Sequence, residues 1–141
     1  MRRDLAAAFG FFKNPYNLGA LTPPWLHFRI VSVSDPEIRE GTRIRYGLRF
    51  HGVPVRWESV ISEYAENAVF ADRMVLGPYR YWHHRHEFRA VTGGTEMRDR
   101  VEYELSFGLL GRAAHSLVRR QLREIFDFRA AAIDRLLGAC S

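Results

Sequence analysis

The sequence predicts an α+β fold in which a curved antiparallel sheet of about six strands wraps around one long C-terminal helix, preceded by a short helical pair. Three observations predict it. From Leu26 to Phe107 apolar residues recur with period two, the signature of half-buried strands. Turn residues interrupt that stretch at short intervals, and connections this short permit only antiparallel neighbours. After Gly108 the period changes to about 3.6 and holds to Leu137.

The elements follow in chain order. Residues 4–12 read as a short helix capped by Asp4 and ended by Asn14-Pro15. A second helical turn runs over residues 16–21 until Thr22-Pro23-Pro24-Trp25 breaks it. Strands are expected over 26–34, 42–51, 53–64, 68–77, 79–90 and 95–107. Their separators are Asp35-Pro36, Gly52, Glu66-Asn67, Gly77-Pro78 and Gly93-Gly94, each of which fixes φ or tolerates a positive one. The final helix begins near Leu109. Its apolar stripe comprises Leu110, Ala114, Leu117, Val118, Leu122, Ile125, Phe126, Ile133, Leu136 and Leu137, with Gly138 as the stop. At 1.5 Å per residue it spans roughly 40 Å, so only a wide, curved sheet can cover its buried face.

Alternation also sorts the faces. In the second strand Ile44, Tyr46, Leu48 and Phe50 share the buried side, while Arg43, Arg45, Arg49 and His51 share the wet one. In the strand from Trp82 to Phe88 the apolar ends require burial, which turns His84 and His86 inward with Trp82 and Phe88. The next strand projects Met97, Asp99, Val101, Tyr103 and Leu105 inward, and Asp72 joins from the preceding strand with Phe70 and Met74.

Composition narrows the class. With 141 residues, 47% of them hydrophobic and 26% charged, one globular domain over residues 1–141 is expected. The net charge is +5, and all but Lys13 of the 21 basic residues are arginines spread along the chain. Such dispersion reads as a solvated face, so nucleic acid is not expected as a partner. The sole cysteine, Cys140, permits no internal disulfide and fits a reducing, cytoplasmic setting. No run approaches the ~20 apolar residues of a spanning helix, so stable membrane insertion is not expected. The sequence holds no phosphate-cradling glycine loop, nucleotide fingerprint, Gly-x-Ser-x-Gly elbow or Cys-His pair. Common kinase, dehydrogenase and hydrolase mechanisms are thereby set aside.

The order of elements is that of the helix-grip fold, and four segments sharpen the likeness. Asn17-Leu18-Gly19-Ala20-Leu21-Thr22-Pro23-Pro24-Trp25, Phe70-Ala71-Asp72-Arg73-Met74-Val75-Leu76-Gly77-Pro78-Tyr79, Trp82-His83-His84-Arg85-His86-Glu87-Phe88 and Asp99-Arg100-Val101-Glu102-Tyr103-Glu104 resemble the bacterial ligand-binding branch of the START, polyketide-cyclase and Bet v 1-like plant-allergen superfamily, abbreviated SRPBCC. The resemblance covers residues 5 to 138. It implies a hydrophobic cavity between sheet and long helix, and members that bind lipids, polyketides or other apolar molecules. The family plan starts with a strand at the sheet edge beside the last strand, whereas this sequence starts almost directly with the helix. Either that strand was lost with an upstream start or the fold makes do with six strands; in the second case the segment 95–107 carries unpaired backbone groups, and a homodimer through that edge becomes conceivable.

Three roles are open to the inward polar group. His84, His86, Asp72 and Asp99 can form a hydrogen-bond network that only fixes the strands. They can orient a ligand's polar end while Trp57, Phe70, Met74, Trp82, Phe88, Tyr103 and Phe126 hold its apolar body. His84, His86 and Asp99 can also supply a histidine–carboxylate acid/base pair for a cyclase- or dehydratase-type reaction on a polyketide-like substrate. The leading expectation is binding of a small hydrophobic molecule of lipid, polyketide or aromatic type, with no cofactor. His84 and His86 could meet one cation with a carboxylate as third ligand, but no metal is expected.

Overall fold

The computed structural model describes residues 1–106 and 112–138. Helix α1 (Leu5–Lys13) begins where the Asp4 carboxylate accepts a hydrogen bond from the Ala7 amide at 2.8 Å, the cap its sequence position implies. Asn14 ends it, accepting from the Tyr16 amide, and Pro15 opens a 3₁₀ segment over Pro15–Leu21. The break expected at residues 22–25 contains a further 3₁₀ turn, Pro24–Leu26, after which His27 adopts a left-handed φ of 47°. That turn consumes the first residues of the predicted first strand. Strand β1 accordingly spans only Arg29–Val33.

The remaining strands are β2 (Arg43–Phe50), β3 (Val53–Ala65), β4 (Val69–Leu76), β5 (Tyr79–Val91) and β6 (Gly94–Leu105). They form one six-stranded sheet in sequence order, every neighbouring pair antiparallel. The β2–β3 connection is two residues, His51 (φ 50°) and Gly52 (φ 79°), the pair of positive φ angles that a twist-matched hairpin turn requires. Register shifts at Glu58/Ser59 and Ile61/Glu63 bend β3 against β4 and supply curvature. Burial on β2 alternates as expected: Ile44 and Leu48 are buried, whereas Arg43, Arg45 and Arg49 are exposed.

Helix α2 (Arg112–Leu137) lies in the concave face. Its start near Leu109, together with Leu110, Phe107 and Cys140, lies outside the described residues. The inward stripe runs through buried Val118, Arg129, Ala132 and Leu137 and half-buried Leu122, Ile125, Phe126 and Ile133, all on one helical face. Leu117 and Leu136, expected on the stripe, are instead 54% and 38% exposed because each sits one position off that line. At the other end of the sheet α1 inserts Phe9, fully buried, edge-on to Tyr64, Phe70 and Phe88. Two apolar clusters result, one around α1, Phe70 and Phe88, the other around Leu48, Trp57 and Trp82. No described helix is long and apolar enough to cross a membrane.

Candidate functional site

Strand register assembles the polar group. On β5 the inward positions Trp82, His84, His86 and Phe88 are all buried. Asp72 of β4 stands opposite His84, and Asp99 of β6 stands opposite His86, so each imidazole has a carboxylate as cross-strand neighbour. Helix α2 contributes Arg129 from the other layer, 8% exposed.

Asp99 is the hub. Its Oδ1 lies 2.6 Å from Nδ1 of His86 and 3.3 Å from Nε2 of His84, and its Oδ2 lies 3.7 Å from Nε of Arg129. Neither His84 Nε2 nor Arg129 Nε makes a hydrogen bond of good geometry, so Asp99 meets Arg129 as charge to charge and His84 by proximity. The other nitrogen of His86, Nε2, is turned toward Asp72 at 3.9 Å. Asp72 accepts from the Ser59 hydroxyl at 3.3 Å, and Ser59 accepts from the Trp57 indole at 3.0 Å. Aromatic rings hold the imidazoles: Phe70 lies 4.5 Å from His86 between ring centres, and Phe126 meets His84 edge-on at 5.6 Å. The two imidazoles are 3.9 Å apart and sit where the two apolar clusters join.

Electrostatics set the charge states. Burial pushes His84 down to about 4, with the neighbouring His86 adding to the effect and Asp99 and Asp72 opposing it. At neutral pH His84 is therefore an uncharged imidazole. Burial alone would raise Asp99, but the two imidazoles and the Arg129 guanidinium outweigh it and hold the carboxyl far below its ordinary range. Burial likewise opposes ionisation of Asp72, and His86, His84 and Ser59 together bring it below its ordinary value. Burial lowers Arg129, and both carboxylates counter that. Two carboxylates thus face one guanidinium in an apolar surrounding. Asp72, His84 and His86 can each offer one atom to a cation, all within 4.8 Å of one another, the one such group among the described residues.

The group forms one wall of a partly open pocket of about 180 Å³ between the sheet and α2. Tyr46, Leu48, Trp57, Phe70 and Trp82 line it from the sheet, and Leu122, Ile125 and Phe126 from α2. Ser59, Asp72, His84, His86 and Arg129 are the polar members of its central wall. Of the residues singled out from sequence, Trp57, Phe70, Asp72, Trp82, His84, His86 and Phe126 reach this wall. Met74, Phe88, Asp99 and Tyr103 do not. Phe88 lies along the curved sheet beneath α1, packed on Phe9 and Phe12. Tyr103 packs on Tyr79 and Trp82, and Met74 joins the Trp57 cluster from its edge. Asp99 backs the imidazoles from behind and borders a second, open cleft beside the β6 edge with Met97, Phe126, Arg129 and Ile133.

Sequence reasoning missed Arg129 and Ser59 as members of the site and placed Tyr46 on the buried face without giving it a role there. Arg129 carried a usable signal: it is three residues after Phe126 and four before Ile133, inside the apolar stripe, where a solvated arginine does not belong. Ser59 is buried at 2% exposure and was hidden by its neighbours on an otherwise ordinary strand.

No protein-family model and no curated protein matches the chain. Solved structures do match. TTHA0849 from Thermus thermophilus superposes with a TM-score of 0.71 at 20% identity, covering 100% of this chain and 94% of that one. Ms6760 from Mycobacterium smegmatis gives 0.65 at 18% identity, covering 97% and 85%. Ara h 8.0201, a Bet v 1-like protein, gives 0.59 at 16% identity, covering 94% and 92%. At these identities the likeness concerns the fold. The fold is a helix-grip fold, shared with the Bet v 1-like Ara h 8.0201.

Proposed function

We propose that this protein binds a small, compact apolar molecule in the cavity between sheet and C-terminal helix, the molecule's polar end lying against Asp72, His84 and His86. The observation that carries the reading is an apolar cavity with convergent buried polar groups along one wall, the usual composition of a small-molecule site. Size supports a ring-like ligand over a fully enclosed lipid chain. A cavity of about 180 Å³ exceeds the ~150 Å³ that admits benzene and falls short of the ~300 Å³ where sites for larger ligands begin. The single cysteine fits a reducing compartment, so the reading places this binding in the cytoplasm.

A matched pair of probes tests it. Naphthalene and 2-naphthol share a ring system and differ by one hydroxyl, and Trp57 and Trp82 report occupancy by fluorescence. Expected is one-to-one uptake of both, with a rise in Tm that follows probe concentration by mass action. His84→Phe and His86→Phe should weaken 2-naphthol by about tenfold, the loss of one hydrogen bond of ~1.4 kcal/mol, and leave naphthalene unchanged. Folded protein that takes up neither probe would refute the reading. Equal affinity of both probes for the parent and the two variants would leave the polar wall a structural network only.

One geometric feature favours a second reading. His86 is oriented by Asp99 at 2.6 Å with its far nitrogen turned toward Asp72 on the cavity wall, as a general acid/base histidine is held. In that case the protein is a cyclase- or dehydratase-type enzyme on a polyketide-like substrate, and His86→Phe should abolish turnover of substrate that is still bound.

A further inference from the structure

The two edges of the sheet differ. Strand β1 has five residues and a register shift between Ile30 and Ser32, and short, bulged strands resist pairing with a further strand. Strand β6 has twelve residues, no proline, and a continuous ladder to β5 broken only at Tyr79/Tyr81 on the β5 side. Its outer backbone is oriented for pairing. Met1 donates to the Thr95 carbonyl at 3.0 Å and accepts from the Thr95 amide at 2.9 Å, which shows that Thr95 directs both its groups away from β5. Alternation then directs outward the amides and carbonyls of Met97, Asp99, Val101 and Tyr103. Among the described residues these have no backbone partner beyond the sheet.

We propose that a second copy of this chain occupies this edge, its β6 antiparallel to the first about a two-fold axis through Val101. Charge selects that register. The solvent face of β6 carries Glu96, Arg98, Arg100, Glu102 and Glu104 in order. An axis through Val101 sets Arg100 opposite Glu102 of the second copy and Arg98 opposite its Glu104, and symmetry doubles both pairs. On the inner face Met97 meets Leu105, and Val101 meets its own copy. An axis through Asp99 would oppose Arg98 to Arg100 and Glu96 to Glu102, one through Arg100 would oppose Arg100 to its own copy and Glu96 to Glu104, one through Glu102 would oppose Glu102 to its own copy, and one through Tyr103 would oppose Glu102 to Glu104. An axis through Met97 requires the part of the edge that Met1 holds. Within one chain Arg100 lies across from Arg85, and neither Arg100 nor Glu102 has an ion-pair partner among the described residues. The pairing also closes the open cleft beside Asp99 and brings Tyr103 of the second copy next to that carboxylate.

The test is charge reversal with repair, read by sedimentation equilibrium from micromolar to millimolar protein and by amide exchange. Expected is a dimer with slow exchange at Met97, Asp99, Val101 and Tyr103, weakened by salt. Arg98→Glu/Arg100→Glu and Glu102→Arg/Glu104→Arg should each be monomeric with unchanged 2-naphthol uptake, because the side chains involved are surface-exposed. An equimolar mixture of the two variants should recover a dimer of one chain of each. A parent chain that stays monomeric throughout overturns the proposal, whether its β6 amides exchange fast or are protected by some other segment. So does a dimer that both reversals leave intact.

Discussion

Asp99→Asn removes one charge from the hub without changing its shape, and its cost can be worked from the surroundings. Arg129, with a side chain 10% exposed, has Asp99 as its ion-pair partner at 3.7 Å and no other among the described residues. Taking one partner from a buried pair costs about 3–5 kcal/mol because the remaining charge stays desolvated. The amide oxygen of the new residue can still accept from His86 Nδ1, and the Asp99 side chain is 20% exposed, so the low end applies: about 3 kcal/mol. Arg129→Met in the same chain removes the stranded charge. The double variant should return to within about 1 kcal/mol of the parent, a coupling of about 2 kcal/mol or more in the cycle. Urea unfolding at pH 7 with all four proteins measures this through the shift in midpoint at constant slope. Singles that simply add in the double variant would refute the account of Asp99 as counter-ion to Arg129.

Two further outcomes are expected. His84 stays neutral in the folded protein down to pH of about 4, whereas the unfolded chain takes up that proton near its ordinary value of ~6.5. Stability should therefore be full above pH ~6.5 and fall as pH drops to about 4, by about 3 kcal/mol; His84→Phe should flatten that slope in a series of urea midpoints, and a slope that persists in the variant would contradict it. Asp72 and Asp99, both held below their ordinary range, add a second loss that begins only below pH ~4. Gly52→Ala places a side chain on a φ of 79° with no atom within 4 Å, so backbone strain alone should cost about 1 kcal/mol of thermal stability, and an unchanged Tm would refute the left-handed turn.

Much of the fold was legible because period and punctuation agree. On β2 the even positions Ile44, Tyr46, Leu48 and Phe50 are all apolar or aromatic while the odd ones are arginine except Gly47, so only one face can be buried. Gly52, Asn67 and Gly93 mark turns that the structure builds with positive φ. The bulges of β3 were not legible, because inserting one residue into a ladder leaves no trace in composition. The same limit explains the placement of Phe88 and Tyr103. Alternation assigns a residue to a face of the sheet, but on a curved sheet that face runs past the cavity, to Phe88 beneath α1 at one end and to Tyr103 against the cavity-lining Tyr79 at the other. His84 and His86, near the middle of β5, are on the cavity wall for the same reason that Phe88 is not.

Arg129 shows what an apolar stripe alone cannot do. A helix held against a curved sheet only by leucine, isoleucine and phenylalanine can slide by one turn and present a similar face, since the stripe repeats. Among the described residues Arg129–Asp99 is the only ion pair between α2 and the sheet. A slide of one turn, about 5.4 Å, would carry the guanidinium away from the carboxylate and leave the buried Arg129 charge without its partner. The pair therefore fixes the axial register of α2 on the sheet, and with it the positions of Phe126 over His84 and of Leu122 and Ile125 around the cavity. Shape of the cavity and charge of its polar wall are set by the same contact, so, on the proposed function, Asp99→Asn should alter probe affinity even though Asp99 does not line the cavity, whereas Arg98→Glu on the same strand should not.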